Sequence, residues 1–205
     1  MKPLVKICGI TNLHDALFCA RAGADFIGFI FYMESARYID PSKARGIIGK
    51  LPATATPVGV FVNAARTVIE DVIGTTGIRT IQLSGDEAPA ECEEYPVEVW
   101  KAFRIRNERD VVITRRYRVA AAMLDGARDG HYGGTGEPAD LAIAVKMKQF
   151  HPLVLAGGLK PENVASAVQF VRPFAIDVNS GVELTPGKKD HTKVTRLFEA
   201  VSMLE

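Results

Sequence analysis

The sequence predicts an α/β chain closed into a (β/α)8 TIM barrel, and three observations carry that expectation. Eight short apolar segments alternate with helical patterns along all 205 residues, as a series of βα units requires. Their starts recur at intervals of roughly 20 to 30 residues, the length of a strand, a helix and two loops. Two glycine-rich stretches, Leu155-Ala156-Gly157-Gly158-Leu159 and Asp177-Val178-Asn179-Ser180-Gly181-Val182-Glu183, follow the last two of those segments. Such loops bring bare backbone N–H groups to a strand's end, where many barrels of this kind cradle a phosphate.

In chain order, strands are expected at residues 4–8, 26–31, 57–61, 80–83, 97–102, 119–124, 152–155 and 174–178. Each is a short apolar run bounded by polar or turn-forming residues. Helices are expected between them, among others at 12–22, 41–50, 161–171 and 190–204, with a short fourth one around 87–94. Asn12 precedes an apolar-periodic run, Asp40-Pro41 puts proline in a first turn, and Lys160-Pro161-Glu162 adds an acid to the same arrangement. All three are helix-start signals. An open doubly wound sheet is the alternative arrangement of eight strands. Against it, the first strand runs into Cys8-Gly9-Ile10-Thr11-Asn12 with no Gly-x-Gly-x-x-Gly, and the glycine loops come last, whereas a dinucleotide fold puts its phosphate turn first.

The length and the 47% hydrophobic content suit one barrel domain over residues 1–205. A net charge of +1 supplies no field that would attract nucleic acid or an anionic membrane. Cys8, Cys19 and Cys92 are an odd set without paired metal-ligand spacing, which suggests a reducing cytoplasm. The N-terminus has no long apolar segment, and the run from Phe26 to Tyr32 is too short to span a bilayer. A soluble, cytoplasmic protein is expected, as a monomer or homodimer.

A barrel builds its active site at the C-terminal mouths of its strands. The residues there are Cys8, Arg37, Asn63, Gln82, Ser84, Arg104, Asp125, residues 133–136, Gly157, Gly158, Asp177, Ser180 and Glu183. Period-two alternation sets Lys6 and Cys8 on one face of the first strand. Cys8 fits two roles, a small buried apolar residue or a thiolate base, and the second needs a cation or helix N-terminus to lower a pKa of ~8.5. Lys6 is a candidate cation. Asp125 ends an apolar run before Gly126, as a loop anchor or as an acid in a partly desolvated mouth. Strands one and six place Cys8 and Asp125 on opposite sides of the ring, as proton transfers at neighbouring substrate atoms demand. The stretch from His131 to Glu137 is a turn or a lid. Arg37 is a surface residue or a planar fork for a carboxylate. The arginines between 104 and 118 alternate with Glu108 and Asp110, as a solvated helix face does. His14, His131, His151 and His191 show no metal-ligand spacing, and no nucleophile elbow is present.

Taken as an ordered set, these motifs resemble the phosphoribosylanthranilate isomerase family. The similarity runs from Lys6-Ile7-Cys8-Gly9-Ile10-Thr11 through Ser35-Ala36-Arg37-Tyr38-Ile39, Leu124-Asp125-Gly126 and Gly133-Gly134-Thr135-Gly136 to the two glycine loops. The resemblance implies a (β/α)8 enzyme of tryptophan biosynthesis that performs an Amadori rearrangement of a phosphosugar, with no metal or organic cofactor. It implies Cys8 as general base and Asp125 as general acid, with Arg37, Gly134 and Asp177 contacting substrate. Gly157, Gly158, Ser180 and Gly181 would hold the phosphate. One position departs from the family pattern: Gln82-Leu83-Ser84-Gly85 stands where Gln-Leu-His-Gly is usual, so no imidazole is available there. Other phosphate-binding barrel enzymes, and a phosphosugar-binding barrel without turnover, are the competing readings.

Overall fold

The computed structural model describes residues 2–126 and 138–204. Eight parallel strands close on themselves: β1 (Leu4–Ile7), β2 (Phe26–Ile30), β3 (Thr56–Phe61), β4 (Thr80–Leu83), β5 (Glu98–Phe103), β6 (Ala121–Leu124), β7 (Leu153–Leu155) and β8 (Ala175–Val178). The ring is sealed by β1 pairing in register with β8, Lys6 opposite Asp177. Outside it lie α1 (Leu13–Ala22), α2 (Pro41–Ile48), α3 (Arg66–Thr76), α4 (Leu141–Met147), α5 (Val164–Val171) and α6 (His191–Ser202). All eight expected strands are present, with no end displaced by more than two residues.

Alternation along each strand divides the core into two layers. Trp100, Met123, Val154 and Ala175 point inward and close the barrel floor, with Phe26 packed edge-on to Trp100. Outward residues such as Val5, Ile7, Ile27, Leu124, Leu155 and Ile176 pack under the helices. The same alternation carries upward to the mouth, where Asp125, Ala156 and Asp177 stand two places beyond floor residues and line the hollow.

Helix starts follow the sequence signals at Asn12 and Asp40, whose side chains accept backbone N–H groups of Asp15, and of Ser42 and Lys43. Three expectations fail. The helix expected from residue 161 begins at Val164, because Asn163 turns back, accepting the Lys160 N–H at 2.8 Å and donating to the Gly158 carbonyl at 2.9 Å. The fourth helix is only a 3-10 turn, Pro89–Cys92, tied off by Glu91 accepting the Ala88 N–H. The arginine-rich stretch is also 3-10, Glu108–Arg116. Its Val111-Val112-Ile113-Thr114 run is β-branched throughout, and such side chains crowd an α-helical turn. After β8 the chain adds a small hairpin, β9 (Glu183–Thr185) and β10 (Lys188–Lys189).

Candidate active site

The inward face of β1 carries Lys6 and then Cys8. Lys6 is wholly buried, and its Nζ donates to Asp177 Oδ1 of β8 at 3.0 Å. Burial alone would depress the Lys6 pKa, but Asp177 and Cys8 beside it hold the ammonium above its ordinary range. Cys8 lines the mouth with its thiol over β2. A Cβ on Gly28 would sit 2.8 Å from that sulfur, so the strand needs glycine there. Burial pushes the Cys8 thiol up, and Lys6 offsets only part of the rise. The cation the sequence offered is therefore in place, but desolvation outweighs it.

Asp125 follows β6 by one residue and faces the same hollow as Cys8. The two strands are three places apart around the ring, β6-β7-β8-β1, rather than diametrically opposed. Burial, then the nearby Asp177 carboxylate, raises the Asp125 pKa from 3.8 to about 6, while the Gly126 N–H bonded to Oδ1 at 2.8 Å acts the other way. An acid so tuned keeps roughly a tenth of its molecules protonated at pH 7, about a hundredfold more than an unshifted carboxyl would.

Arg37 reaches the hollow from the loop after β2, and its side chain is 13% exposed. Its Nε and Nη2 edge is already engaged, donating to the Glu183 carboxylate at 2.8 to 3.1 Å. A substrate carboxylate would have to meet the remaining Nη1 side of the fork. Glu183 is held in turn by Lys189 Nζ at 3.0 Å and by the Gly187 N–H at 3.1 Å. Lys189 also donates to Asn179 Oδ1 at 3.0 Å, which ties the brace to the loop that carries Ser180. Sequence reasoning missed this brace, although Pro186-Gly187 is a turn signal between the strands that deliver it. Burial would raise the Glu183 carboxyl, but the side chains of Arg37 and Lys189 hold it below its usual range.

At the β7–β8 side, Gly157 and Gly158 both take positive φ, +83° and +63°, a conformation that side chains rarely adopt. They line the hollow with Ser180. A Cβ on Gly181 would lie 1.9 Å from the Leu159 carbonyl oxygen, so that loop packs edge to edge with the first. Among the described residues, no acceptor is bonded to the amides of Gly157, Gly158, Ser180 or Gly181. Two turns with unspent N–H groups are an arrangement able to cradle an anion.

The remaining wall is apolar, from Ile30, Val60 and Val62, with Gln82 and Ser84 beside it. Gly134 lies outside the described residues. His14 and His191, far apart in sequence, come together with Asp15, their ligating atoms within 4.8 Å of one another. Asp15 is spent there on the Asn12 side chain, the Lys189 N–H and His191. No described helix is long and apolar enough to cross a membrane.

Residues 5–200 match the family model for N-(5'phosphoribosyl)anthranilate (PRA) isomerase. The chain belongs to that family. It shares 48% identity over 194 residues with the N-(5'-phosphoribosyl)anthranilate isomerase of Citrifermentans bemidjiense, covering 95% of this chain and 94% of the relative. The crystal structure of the Thermotoga maritima phosphoribosyl anthranilate isomerase superposes with a TM-score of 0.91 at 43% identity, covering 98% of this chain and all of that one. A second isomerase structure, in complex with reduced 1-(o-carboxyphenylamino)-1-deoxyribulose 5-phosphate, superposes with a TM-score of 0.88 at 42% identity over the same shares. As a member of this isomerase family the chain is an isomerase of tryptophan biosynthesis on a TIM barrel.

Proposed function

We propose that the protein rearranges N-(5-phosphoribosyl)anthranilate to the 1-deoxyribulose 5-phosphate aminoketose, with Asp125 as general acid and Cys8 as general base. One observation carries the mechanism: a carboxyl raised to about 6 and a thiol border the same hollow, which has unspent amides at one edge. Asp125 gives its proton to the ring oxygen as the C1–O bond breaks, and the nitrogen lone pair closes a C1=N iminium. Cys8, as thiolate, takes the C2 proton. The C2–H electrons form C1=C2 and neutralise the iminium, leaving an enolamine. Its C2 hydroxyl then loses a proton as C1 gains one, giving the ketone. Atoms and electrons balance within one substrate, so the chemistry calls for no metal or redox cofactor.

The anthranilate carboxylate meets the free side of the Arg37 fork. The phosphate sits on the amides of Gly157, Gly158, Ser180 and Gly181, and Asp177 faces the sugar hydroxyls while holding Lys6. Gly134 would contact substrate as well. A monomer or a homodimer is the assembly we expect.

The test follows the loss of anthranilate-type fluorescence when purified protein meets freshly prepared substrate. Positioned acid and base groups each contribute ~10²- to 10⁴-fold, and Cys8→Ala and Asp125→Ala are each expected to lower kcat/KM by that much. Normal turnover in both variants would end this mechanism.

A further inference from the structure

Gln82 stands one residue before the end of β4 and faces the hollow, as does Ser84 two places on. It is only 5% exposed. Its Nε2 donates to Ser84 Oγ at 2.9 Å, whereas Oε1 is buried with no hydrogen-bond partner among the described residues. The neighbouring wall residues Val60 and Val62 have no side-chain donor to offer it. Turning the amide over does not remove the deficit. The Ser84 hydroxyl gives or accepts with equal ease, so either orientation keeps one bond to Ser84 and leaves the other polar end bare. A buried carbonyl without a donor is costly to the fold, and an apolar residue of similar size would avoid that cost. What relieves it is a donor that enters the hollow.

The position of β4 says which donor. Counting β4-β5-β6-β7-β8, it lies four places from β8, directly across the eight-stranded ring from the anion loops. A phosphosugar pinned by its phosphate at β7 and β8 extends its C1 end toward β4. We infer that Gln82 Oε1 accepts the N–H of the nitrogen that joins sugar to aromatic ring. Ser84 acts on Gln82 as a positioning residue, holding the amide by its other end. The inference rests on the reading that the hollow holds the aldosylamine. When the sugar ring opens, that N–H belongs to an iminium, and a hydrogen bond from a charged donor is stronger than one from a neutral amine. The contact therefore tightens along the reaction and favours the chemical step over ground-state binding.

Gln82→Met removes both polar ends at nearly constant volume, and Gln82→Glu restores an acceptor without a donor. Gln82→Met is expected to lower kcat/KM at least tenfold while its thermal midpoint stays level or rises. Gln82→Glu, assayed at pH 8, is expected to recover activity relative to Gln82→Met. Gln82→Met within twofold of wild type would overturn the inference, as would a fall in activity matched by lost folded protein. Gln82→Glu poorer than Gln82→Met would make Nε2 the working end and overturn it equally. Cys8→Ala assayed alongside separates the two levels: an inactive Cys8→Ala with a normal Gln82→Met removes Gln82 alone, whereas a normal Cys8→Ala removes the site reading beneath it.

Discussion

Two lysines are buried in the barrel wall beside carboxylates, one on each face, and their surroundings differ. Lys101 of β5 points outward. Its ammonium donates to the carbonyls of Gly85 at 2.9 Å, Ala102 at 2.8 Å and, more weakly, Leu83 at 3.4 Å. Glu87 lies 3.1 Å away, close enough for an ion pair but out of line for a hydrogen bond, and its other oxygen accepts the N–H groups of Asn63 and Gly85. Every strong donor of that ammonium is spent on the loop after β4 and on the wall itself. Lys6 points inward and has one carboxylate bond, to Asp177, with the Cys8 thiol beside it; both partners line the hollow. The same pair of residue types makes a clamp where its bonds are used up by backbone, and a tuning charge where it stands beside a thiol that lines the cavity.

Breaking each pair tests that distinction. Removing one member of a buried ion pair typically costs ~3–5 kcal/mol, so Lys101→Met should show that loss in denaturant titrations. Its kcat/KM per folded molecule should stay within about twofold, since no bond of Lys101 reaches the hollow. Lys6→Met should lose stability as well, and kcat/KM should fall by at least ~10²-fold, the lower bound for a positioned acid–base element. Iodoacetamide should then alkylate Cys8 more slowly at a given pH, because the ammonium that opposes the rise in its pKa is gone. Equal activity losses in the two variants would erase the contrast.

The same electrostatics sets the pH dependence. Under the proposed mechanism the acid titrates near 6 and the base above the ordinary thiol range, so the pair it requires, protonated Asp125 with ionised Cys8, is the minor protonation state. Below about 6 the thiolate fraction grows tenfold per pH unit while Asp125 stays protonated. Between the two pKa values the gain in thiolate cancels the loss of acid. Free-enzyme kcat/KM should rise to a broad plateau beginning near pH 6 and decline only beyond the thiol's titration. A narrow optimum near neutrality would mean that Lys6 wins over burial in solution.

Asp125 should also be a burden on the fold. Its pKa is raised from 3.8 to about 6, so its stabilising protonated form is fully present below 3.8 and is lost as pH climbs through 6. That difference is at most ~3 kcal/mol at pH 7. Asp125→Asn should therefore melt higher than wild type at pH 7, with the gain shrinking toward nothing below pH 4, although turnover is lost.

The barrel was legible because its signals are local and repeated: alternation in the strands, Asn12 and Asp40 at helix starts, glycines after β7 and β8. The two 3-10 stretches were less so, since charge pattern suggested a helix where the β-branched run at 111–114 opposed one. Within the site, Lys6 and Cys8 follow from alternation alone. The brace from Arg37 through Glu183 to Lys189 does not, because it joins residues 146 apart to a hairpin whose register only the closed ring fixes. Sequence placed a cation beside Cys8, but the net rise in the thiol's pKa depends on how completely water is excluded, which is a property of packing.

The smallest expected effect concerns Ser84, where the family pattern has histidine. Ser84 is the only hydrogen-bond partner the Gln82 amide has among the described residues. A neutral imidazole presents an acceptor nitrogen and could take the same N–H, so the positioning task does not need a titrating group. Ser84→His should leave kcat/KM within about threefold of wild type, the range for exchanging one neutral hydrogen-bond partner for another. Its pH profile should keep the same acid limb, because Asp125 sets that limb. A severalfold fall would mean that this chain has rebuilt the mouth around the smaller hydroxyl, with Gln82 placed too close to accept a ring.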